Sequence, residues 1–501
     1  MFGYFPVGIK AAGTTPGTLV YTCLSHDIIA HETTHALLDG VHPRFNEAVN
    51  LDVLAFHEAF ADIVALFQRF AYPGVLRDQI ARTRGDLSNE NFLGQLAQQF
   101  GKASGRGSAL RDAIGGIDKE TGEWKQHVPD VNALQKGLQP HDRGSILVAA
   151  VFRAFLTVYR ARTRDLFRLA SEGTGELRPG EIPPDLVNRL AEEAARSAQY
   201  ILQMCIRAID YCPPVGLTFG DYLRGIVTAD KELNPEDPYG YRLAFVESFQ
   251  KWGIHPAGMR SIIPEALLWP TLDEAADEAG VRLDRTDIEA LFLRPQSGKD
   301  PEQRAALRGS QQELRLTGTR YDAWVGAERN AAILWGWLMR GAGRKLAPVI
   351  GLVLNKDKPQ PTVVCSRTAG DVATEVHSVR TAVRRGPRGA SVSDLVVEIT
   401  QRRHGYFDAG EQKSKDRGGP LARDARHDFT YRAGCTLLID PVTMEVRRVI
   451  RTLGTINDNA RLEELRKFLT ERSEPVNAFA RTQDTLRNRE PFGLLHRNEE
   501  D

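Results

Sequence analysis

Residues 25–40 read SHDIIAHETTHALLDG, and this stretch decides how the first half of the chain is interpreted. His31 and His35 are four residues apart, so on a helix both imidazoles leave the same face and reach one cation. Glu32 lies beside them, where its carboxylate can accept a proton from a water bound to that cation. Neutral imidazoles suit zinc, and a catalytic zinc site needs a third protein ligand.

The third ligand must come from elsewhere in the chain. The pattern H-E-x-x-H-x-x-G-x-x-H is excluded, because Leu38 and Val41 stand where it needs Gly and His. A carboxylate from a second helix remains, and two glutamates compete for this role. Glu47 lies in a Pro-containing link, whereas Glu58 lies in an apolar helical run and shares its face with Asp62. We therefore predict that Glu58 is the ligand and that Asp62 orients a ligating histidine.

These motifs resemble those of the thermolysin-like gluzincin metallopeptidases. The family's two ligand helices carry D-x-x-A-H-E-x-T-H-A-x-x-D and N-E-A-x-x-D, and the matching positions here are Asp27, Ala30, His31, Glu32, Thr34, His35, Ala36 and Asp39, then Glu58, Ala59 and Asp62. His57 stands where the family usually has Asn. Residues 140–146, PHDRGSI, resemble V-H-x-N-S-G-I, which opens a third helix and places His141 at the family's histidine position. The resemblance covers roughly residues 1–265.

The resemblance implies a mainly helical catalytic domain and a zinc-dependent metallopeptidase that hydrolyses peptide bonds in a peptide or protein substrate. It assigns one catalytic zinc ion to the ligands His31, His35 and Glu58. It makes Glu32 the general base that accepts the proton of the attacking water. It makes Asp62 the residue that accepts a hydrogen bond from the far nitrogen of a ligating histidine. It gives His141 the role of stabilising the oxyanion of the tetrahedral intermediate.

Several positions depart from the family's pattern. Gluzincins of this kind carry a β-rich lobe before the zinc helix, but only about thirty residues precede His31, which favours a start that is truncated. Lys136 stands where the family has an acid that orients its histidine, so Asp130 or Asp142 would have to replace that acid. Residues 40–57 contain no tyrosine, which gives His141 more of the oxyanion stabilisation. No residues match the family's calcium ligands, so calcium binding stays open.

The apolar periodicity predicts an α+β protein, with a mainly helical catalytic domain followed by a separate α+β domain that contains an antiparallel sheet. We divide it into residues 1–265 as the catalytic domain, 266–345 as a helical connector and 346–501 as an α+β domain of unknown role. The predicted helices are 27–39, 51–70, 144–162, 184–208, 217–230, 239–253, 271–292, 323–343 and 459–472. The predicted strands are 349–354, 362–365, 372–383, 395–400, 429–439 and 446–453.

Composition excludes several classes of protein. The 501 residues are 42% hydrophobic and 26% charged, which is typical of soluble globular chains and excludes disorder as the main state. Lysine plus arginine and aspartate plus glutamate both number 65, so no global field attracts nucleic acid or an anionic membrane. Five scattered cysteines argue against a disulfide framework. As written, the chain has no signal peptide, so we expect a cytoplasmic protein; a true start upstream would make it secreted.

A second hypothesis from a different class stays open. The zinc site could be noncatalytic, and the chain a scaffold or interaction protein whose C-terminal domain binds a partner. A basic cluster in that domain would suit nucleic acid: Arg380, Arg384, Arg385, Arg388, Arg402, Arg403, Lys413, Lys415 and Arg417. Acidic residues interleave with it and no nucleic-acid motif accompanies it, so a solvated sheet face is the expectation we favour over nucleic-acid binding.

Overall fold

The fold is described from a computed structural model. It describes residues 4–7, 17–89, 95–96, 111–112, 115–117, 124–137, 139–283, 320–339, 343–366, 371–385, 391–418, 421, 425–441, 443 and 445–471. Residues 294–303 of the predicted helical connector, the end of the predicted helix 271–292 and the basic residue Arg388 lie outside these residues.

The helices and strands form two blocks along the chain. The helical block comprises the described residues from 4 to 271, and the second block comprises those from 272 to 471. The helices are α1 (His26–Val41), α2 (Leu51–Gln68), α3 (Pro73–Thr83), α4 (Ala133–Lys136), α5 (Pro140–Ala170), α6 (Pro184–Ala208), α7 (Phe219–Leu233), α8 (Tyr241–Lys251), α9 (Leu272–Glu278), α10 (Arg320–Leu338), α11 (Gly343–Leu346), α12 (Ala409–Arg417) and α13 (Asn459–Thr470). The strands are β1 (Tyr4–Pro6), β2 (Leu19–Tyr21), β3 (Gln95–Leu96), β4 (Arg111–Asp112), β5 (Gly115–Ile117), β6 (Trp124–Gln126), β7 (Thr374–Arg385), β8 (Ser391–Gly405), β9 (Phe429–Ile439) and β10 (Val446–Arg451).

Helix α2 forms the centre of the helical block. Its N-terminus is capped by Asn50, whose side chain accepts hydrogen bonds from the backbone N–H groups of Asp52 and Val53. Nearly every residue from Val53 to Phe67 is buried, because α1 covers one side and α5 crosses another. Helix α1 is buried along a narrower stripe at i, i+3, i+4 and i+7, starting from His31.

Helix α5 is long and apolar enough to cross a bilayer by length and composition. In the fold, 72% of its most apolar window is buried among the other helices. Phe152 and Phe155 pack against Phe67 of α2, which places both rings in the same core as the ligand helices. We therefore interpret α5 as the core helix of the helical block.

The second block is built on a four-stranded antiparallel sheet with the order β10-β9-β8-β7, called the sheet below. Alternate residues of each strand face opposite sides. On one side, Val396, Leu438 and Ile450 share a buried cluster with Tyr211 and Trp269 of the helical block. The opposite side packs against the helices that precede the sheet, in a cluster that includes Leu272, Ala275, Leu334, Leu338, Leu395, Val397, Leu437 and Val449. Both faces of the sheet are therefore covered.

The predicted α+β fold is confirmed, with an antiparallel sheet in the C-terminal part. The predicted bounds of α6 and β9 agree with the structure, whereas α5 extends beyond the predicted 144–162 at both ends. The strand prediction for 349–354 is wrong, because this mostly buried run forms a turn at 349–351 and irregular chain at 352–354. The prediction for 362–365 is also wrong, since Val363 and Cys365 form only isolated bridges, with Arg403 and Val372.

The basic cluster does not form a solvated sheet face, so that expectation is wrong for several of its members. Arg384 is buried and pairs with Asp394, while Arg403 is fully buried and lies 2.9 Å from Asp416. Arg380 lies 2.5 Å from Asp210 of the helical block. These arginines are matched by carboxylates inside the protein.

We expect Leu438→Ala to lower the free energy of unfolding by about 2–5 kcal/mol, because it leaves a cavity in the cluster shared by the two blocks. Urea unfolding followed by circular dichroism and by tryptophan fluorescence measures it. Leu453→Ala is the control, since Leu453 is 44% exposed and its truncation should cost less than about 1 kcal/mol. Equal losses in the two variants would contradict the described packing of the sheet.

Candidate metal centre

Three side chains of α1 and α2 converge inside the helical block. The Nε2 atoms of His31 and His35 are 2.9 Å apart, and each lies 3.5 Å from a carboxylate oxygen of Glu58. All three residues are buried. Within the described part of the chain, this is the one group of three or more His, Cys, Asp or Glu residues whose donor atoms are close enough to hold one metal ion.

The outer nitrogen of each histidine also has a partner on α2. Nδ1 of His31 lies 2.8 Å from Oδ1 of Asp62, and Nδ1 of His35 lies 2.7 Å from Nδ1 of His57. The His35 and His57 rings are tilted by only 18° with centroids 5.0 Å apart, so the two nitrogens point at each other nearly in the ring planes. A carboxylate only accepts hydrogen bonds when ionised, so Asp62 selects the tautomer of His31 whose Nε2 lone pair faces the cluster.

The donor set fits a divalent transition metal. When Asp62 holds the His31 proton on Nδ1, a lone pair of Nε2 faces His35 and the Glu58 carboxylate in a buried place. Such a group of acceptors needs a proton or a cation among them to offset their mutual repulsion. Donor separations of 2.9 to 3.5 Å are also of the size expected when each donor is roughly 2.0–2.2 Å from one shared ion.

The pKa of Glu58 reflects this environment. Burial alone would raise it, but the close contact with His141, the largest of the lowering effects, helps to outweigh burial. The pKa of Glu58 therefore lies well below its usual range, and its carboxylate is ionised at neutral pH. An ionised carboxylate is the form that binds a metal ion.

Helix α5 brings His141 to the cluster. His141 is the second residue of α5, and its Nδ1 lies 3.1 Å from Oε2 of Glu58. The close crossing of α5 and α2 depends on Gly144, where a Cβ atom would lie 2.9 Å from the carbonyl oxygen of Ala55. The His141 side chain is 39% exposed, so it borders both the cluster and the solvent.

Helix α1 is anchored at both ends, on either side of the ligands. At its start, Arg69 donates a hydrogen bond from Nε to Oδ1 of Asp27 at 3.0 Å. At its end, Asn46 donates to Oδ1 of Asp39 at 2.7 Å. Glu32 is half-buried on this helix, next to His31 in sequence and on the side of α1 nearer to solvent than the two ligands.

The structure thus brings together five of the six predicted site residues, His31, His35, Glu58, Asp62 and His141, with Glu32 adjacent to them on α1. The competing glutamate Glu47 lies outside the cluster, 2.5 Å from Arg44. Asp130 lies 2.6 Å from Lys136, so these two residues pair with each other. The sequence did not single out the contact between His57 and His35; the signal available for it was the position of His57 directly before Glu58.

No protein-family model matches this chain, and neither a curated protein nor a solved structure is significantly similar to it.

If the cluster holds a metal ion, Glu58→Gln should weaken metal binding, because an amide replaces an anionic ligand. Loss of a residue that only hydrogen-bonds to a metal ligand typically costs roughly 10–100-fold in affinity, and the loss here should be larger. Glu193→Gln is the matched control, since it makes the same change in a glutamate of α6 that lies 2.6 Å from Arg162 and takes no part in the cluster. Titration of metal-free protein with zinc against a chromophoric chelator measures both affinities. Equal weakening by the two substitutions would exclude Glu58 as a specific ligand.

Proposed function

We propose that the chain is a zinc-dependent metallopeptidase of the gluzincin type that hydrolyses peptide bonds. The observation that carries this proposal is the buried cluster of His31, His35 and Glu58, which has Glu32 beside it and His141 at its solvent side. Two imidazoles and one carboxylate are the donor set of one class of catalytic zinc site. The resemblance of the motifs supports the same conclusion from the sequence.

In this proposal, His31, His35 and Glu58 would hold one zinc ion, which would supply Lewis acidity toward a water and toward the substrate carbonyl. Asp62 and His57 keep the two imidazoles oriented through their Nδ1 atoms. Folding already fixes the orientation of these residues. No further free energy is therefore needed to orient them when the substrate reacts.

Glu32 moves the proton. Its carboxylate accepts a proton from the water as the oxygen attacks the peptide carbonyl carbon, and it then delivers that proton to the nitrogen of the leaving amine. The C–N bond breaks as the amine is protonated, so the products are one carboxylic acid and one amine, which ionise in water to a carboxylate and an ammonium group. The half-buried position of Glu32 suits this role, because the carboxylate has to meet both a water and a substrate.

His141 supports the charge that develops on the carbonyl oxygen. Its imidazole is partly exposed and starts a helix, so an N–H group can donate a hydrogen bond to a substrate at the edge of the cluster. Its contact with Glu58 holds the ring near the place where the substrate carbonyl would lie.

Glu32→Gln should lower the rate of cleavage by about 10²–10⁴-fold, because a general base is lost. Zinc stoichiometry should stay at one ion per chain, since Glu32 is not a ligand in the proposal. Cleavage of an unstructured protein, measured together with elemental analysis of the same samples, tests both statements. Undiminished cleavage by the variant would overturn the role of Glu32. Zinc without cleavage in the wild type would instead favour a noncatalytic scaffold.

His141→Ala should lower kcat by about 10²–10³-fold with a smaller effect on KM, because the hydrogen bond forms mainly in the transition state. Steady-state kinetics on a fluorogenic peptide separates the two parameters. His127→Ala serves as a control, since His127 contacts Trp252 and takes no part in the cluster. A rise in KM with an unchanged kcat would show that His141 binds the ground state and the transition state equally well, and would contradict its proposed role.

A further inference from the structure

The segment between the two ligand helices, residues 42–50, is called the link here, and it lies on the sheet of the C-terminal block. His42 contacts Glu398 of β8, with Nδ1 and Oε1 2.7 Å apart. Further along the link, Glu47 lies 3.3 Å from Arg432 of β9. The link therefore joins the helical block to the sheet at the point where α1 ends and before α2 begins.

Both ring nitrogens of His42 are engaged by the sheet. Arg380 of β7 lies 3.0 Å from Nε2, and because a guanidinium has no acceptor, Nε2 accepts that hydrogen bond. The proton of the ring is therefore on Nδ1, which faces Glu398. His42 and Glu398 are each 1% exposed, so this contact is shielded from solvent.

Glu398 is held in turn by other charges. Its second oxygen lies 3.3 Å from Nε2 of His377, and Arg380 also pairs with Asp210 of the helical block. Although burial would raise the pKa of Glu398, the close N–H group of His42, the contact with His377 and the positive charge of Arg380 keep that pKa far below its usual range. The carboxylate is thus an ionised group in a fixed position between the link and the sheet.

Contacts inside the link connect His42 to both ligand helices. The backbone N–H of His42 donates to the carbonyl oxygen of Leu38 at 2.8 Å, in the last turn of α1. The His42 ring stacks on Phe45, with centroids 4.3 Å apart and planes tilted by 8°. Phe45 packs edge-on against Phe56, which precedes Glu58 by two residues on α2.

We infer that the sheet is part of the metal centre, with Glu398 as a positioning residue that acts through His42 to hold α1 and α2 at the spacing the metal ligands need. The inference rests on the proposed metal site. The physical reason is that His31 and His35 come from α1 and Glu58 from α2, so the donors converge only when the two helices keep their relative position. The link is the covalent connection between them, and the sheet fixes it through a buried charged contact.

Residues far from a metal ion usually affect stability without affecting metal affinity, so the test needs a matched control. Asp394 lies four residues before Glu398 on β8 and therefore on the same face of the strand. It is also buried, pairs with Arg384 and Arg447, and does not belong to the contacts of the link. Glu398→Gln and Asp394→Asn make the same chemical change at these two positions.

The experiment uses the full chain, freed of metal, and measures its melting temperature and its Kd for zinc by competition with a chromophoric chelator. Both amide variants should melt at a lower temperature than the wild type, because each replaces a buried carboxylate whose neighbours are arranged around a negative charge. Only Glu398→Gln should bind zinc more weakly than the wild type, by about 10-fold. This is the smallest loss of affinity that is typical when a residue supporting the metal ligands is substituted. A fixed concentration of zinc should raise the melting temperature of Glu398→Gln by less than it raises that of the wild type or of Asp394→Asn.

A second pair of variants keeps the test decisive if Glu398→Gln folds poorly. His42→Asn retains an N–H donor close to the position of Nδ1, so its zinc affinity should stay near that of the wild type. His42→Leu removes the donor, and its affinity should fall as in Glu398→Gln. A purely structural role for His42 would lower the melting temperature in both variants without this difference in affinity.

The outcomes separate this inference from the proposed function. If the wild type binds one zinc ion and all four variants bind it equally well, the positioning role is overturned while the metal site stands. If zinc affinity falls equally in Glu398→Gln and Asp394→Asn, general destabilisation explains the loss and the positioning role is again overturned. If the folded wild type binds no zinc, the proposed function fails, and the inference fails with it.

Discussion

The packing of α1 against α2 is the interaction on which the rest of the structure depends, because it buries five polar side chains, His31, His35, His57, Glu58 and Asp62, within an apolar core. Burying such groups is unfavourable unless they hydrogen-bond or pair with one another. The pairs Asp62–His31 and His57–His35 offset that cost at the outer nitrogens. What remains is a set of donors directed at one point, which is the physical basis for expecting a cation there.

The interface between the two blocks combines an apolar cluster with charged contacts. Trp269 and Leu438 contribute to the apolar part, whereas Arg380 with Asp210 and His42 with Glu398 contribute the charged contacts. Apolar contacts are non-directional, but a buried charged pair tolerates little displacement, because each partner would be left desolvated. The apolar cluster therefore provides most of the attraction, and the ion pairs determine how the sheet is placed against the helices.

Local sequence rules predicted much of this fold. The bounds of α6 and β9, and the placement of Glu58 and Asp62 on one face of α2, follow from periodicity within a single element. The failures involve partners distant in sequence. The run at 349–354 has the composition of a strand but forms a turn and irregular chain, and Arg384 belongs to a basic cluster in sequence yet is neutralised by Asp394 across the sheet. The contact between His57 and His35 likewise depends on how two helices cross, which no single-element pattern contains.

The two ends of α1 are held by different parts of the protein, and together they set the direction of His31 and His35. At the start of the helix, Asp27 is anchored to Arg69, which directly follows α2, so that end is fixed within the helical block itself. At the other end, Asp39 is anchored to Asn46 of the link, and the link depends on the sheet through His42. Because His31 and His35 lie between these anchors, their direction is set from both ends at once. A helix fixed only at its start could pivot about Asp27, and the displacement would be larger at His35 than at His31, since His35 is one turn further from the fixed end.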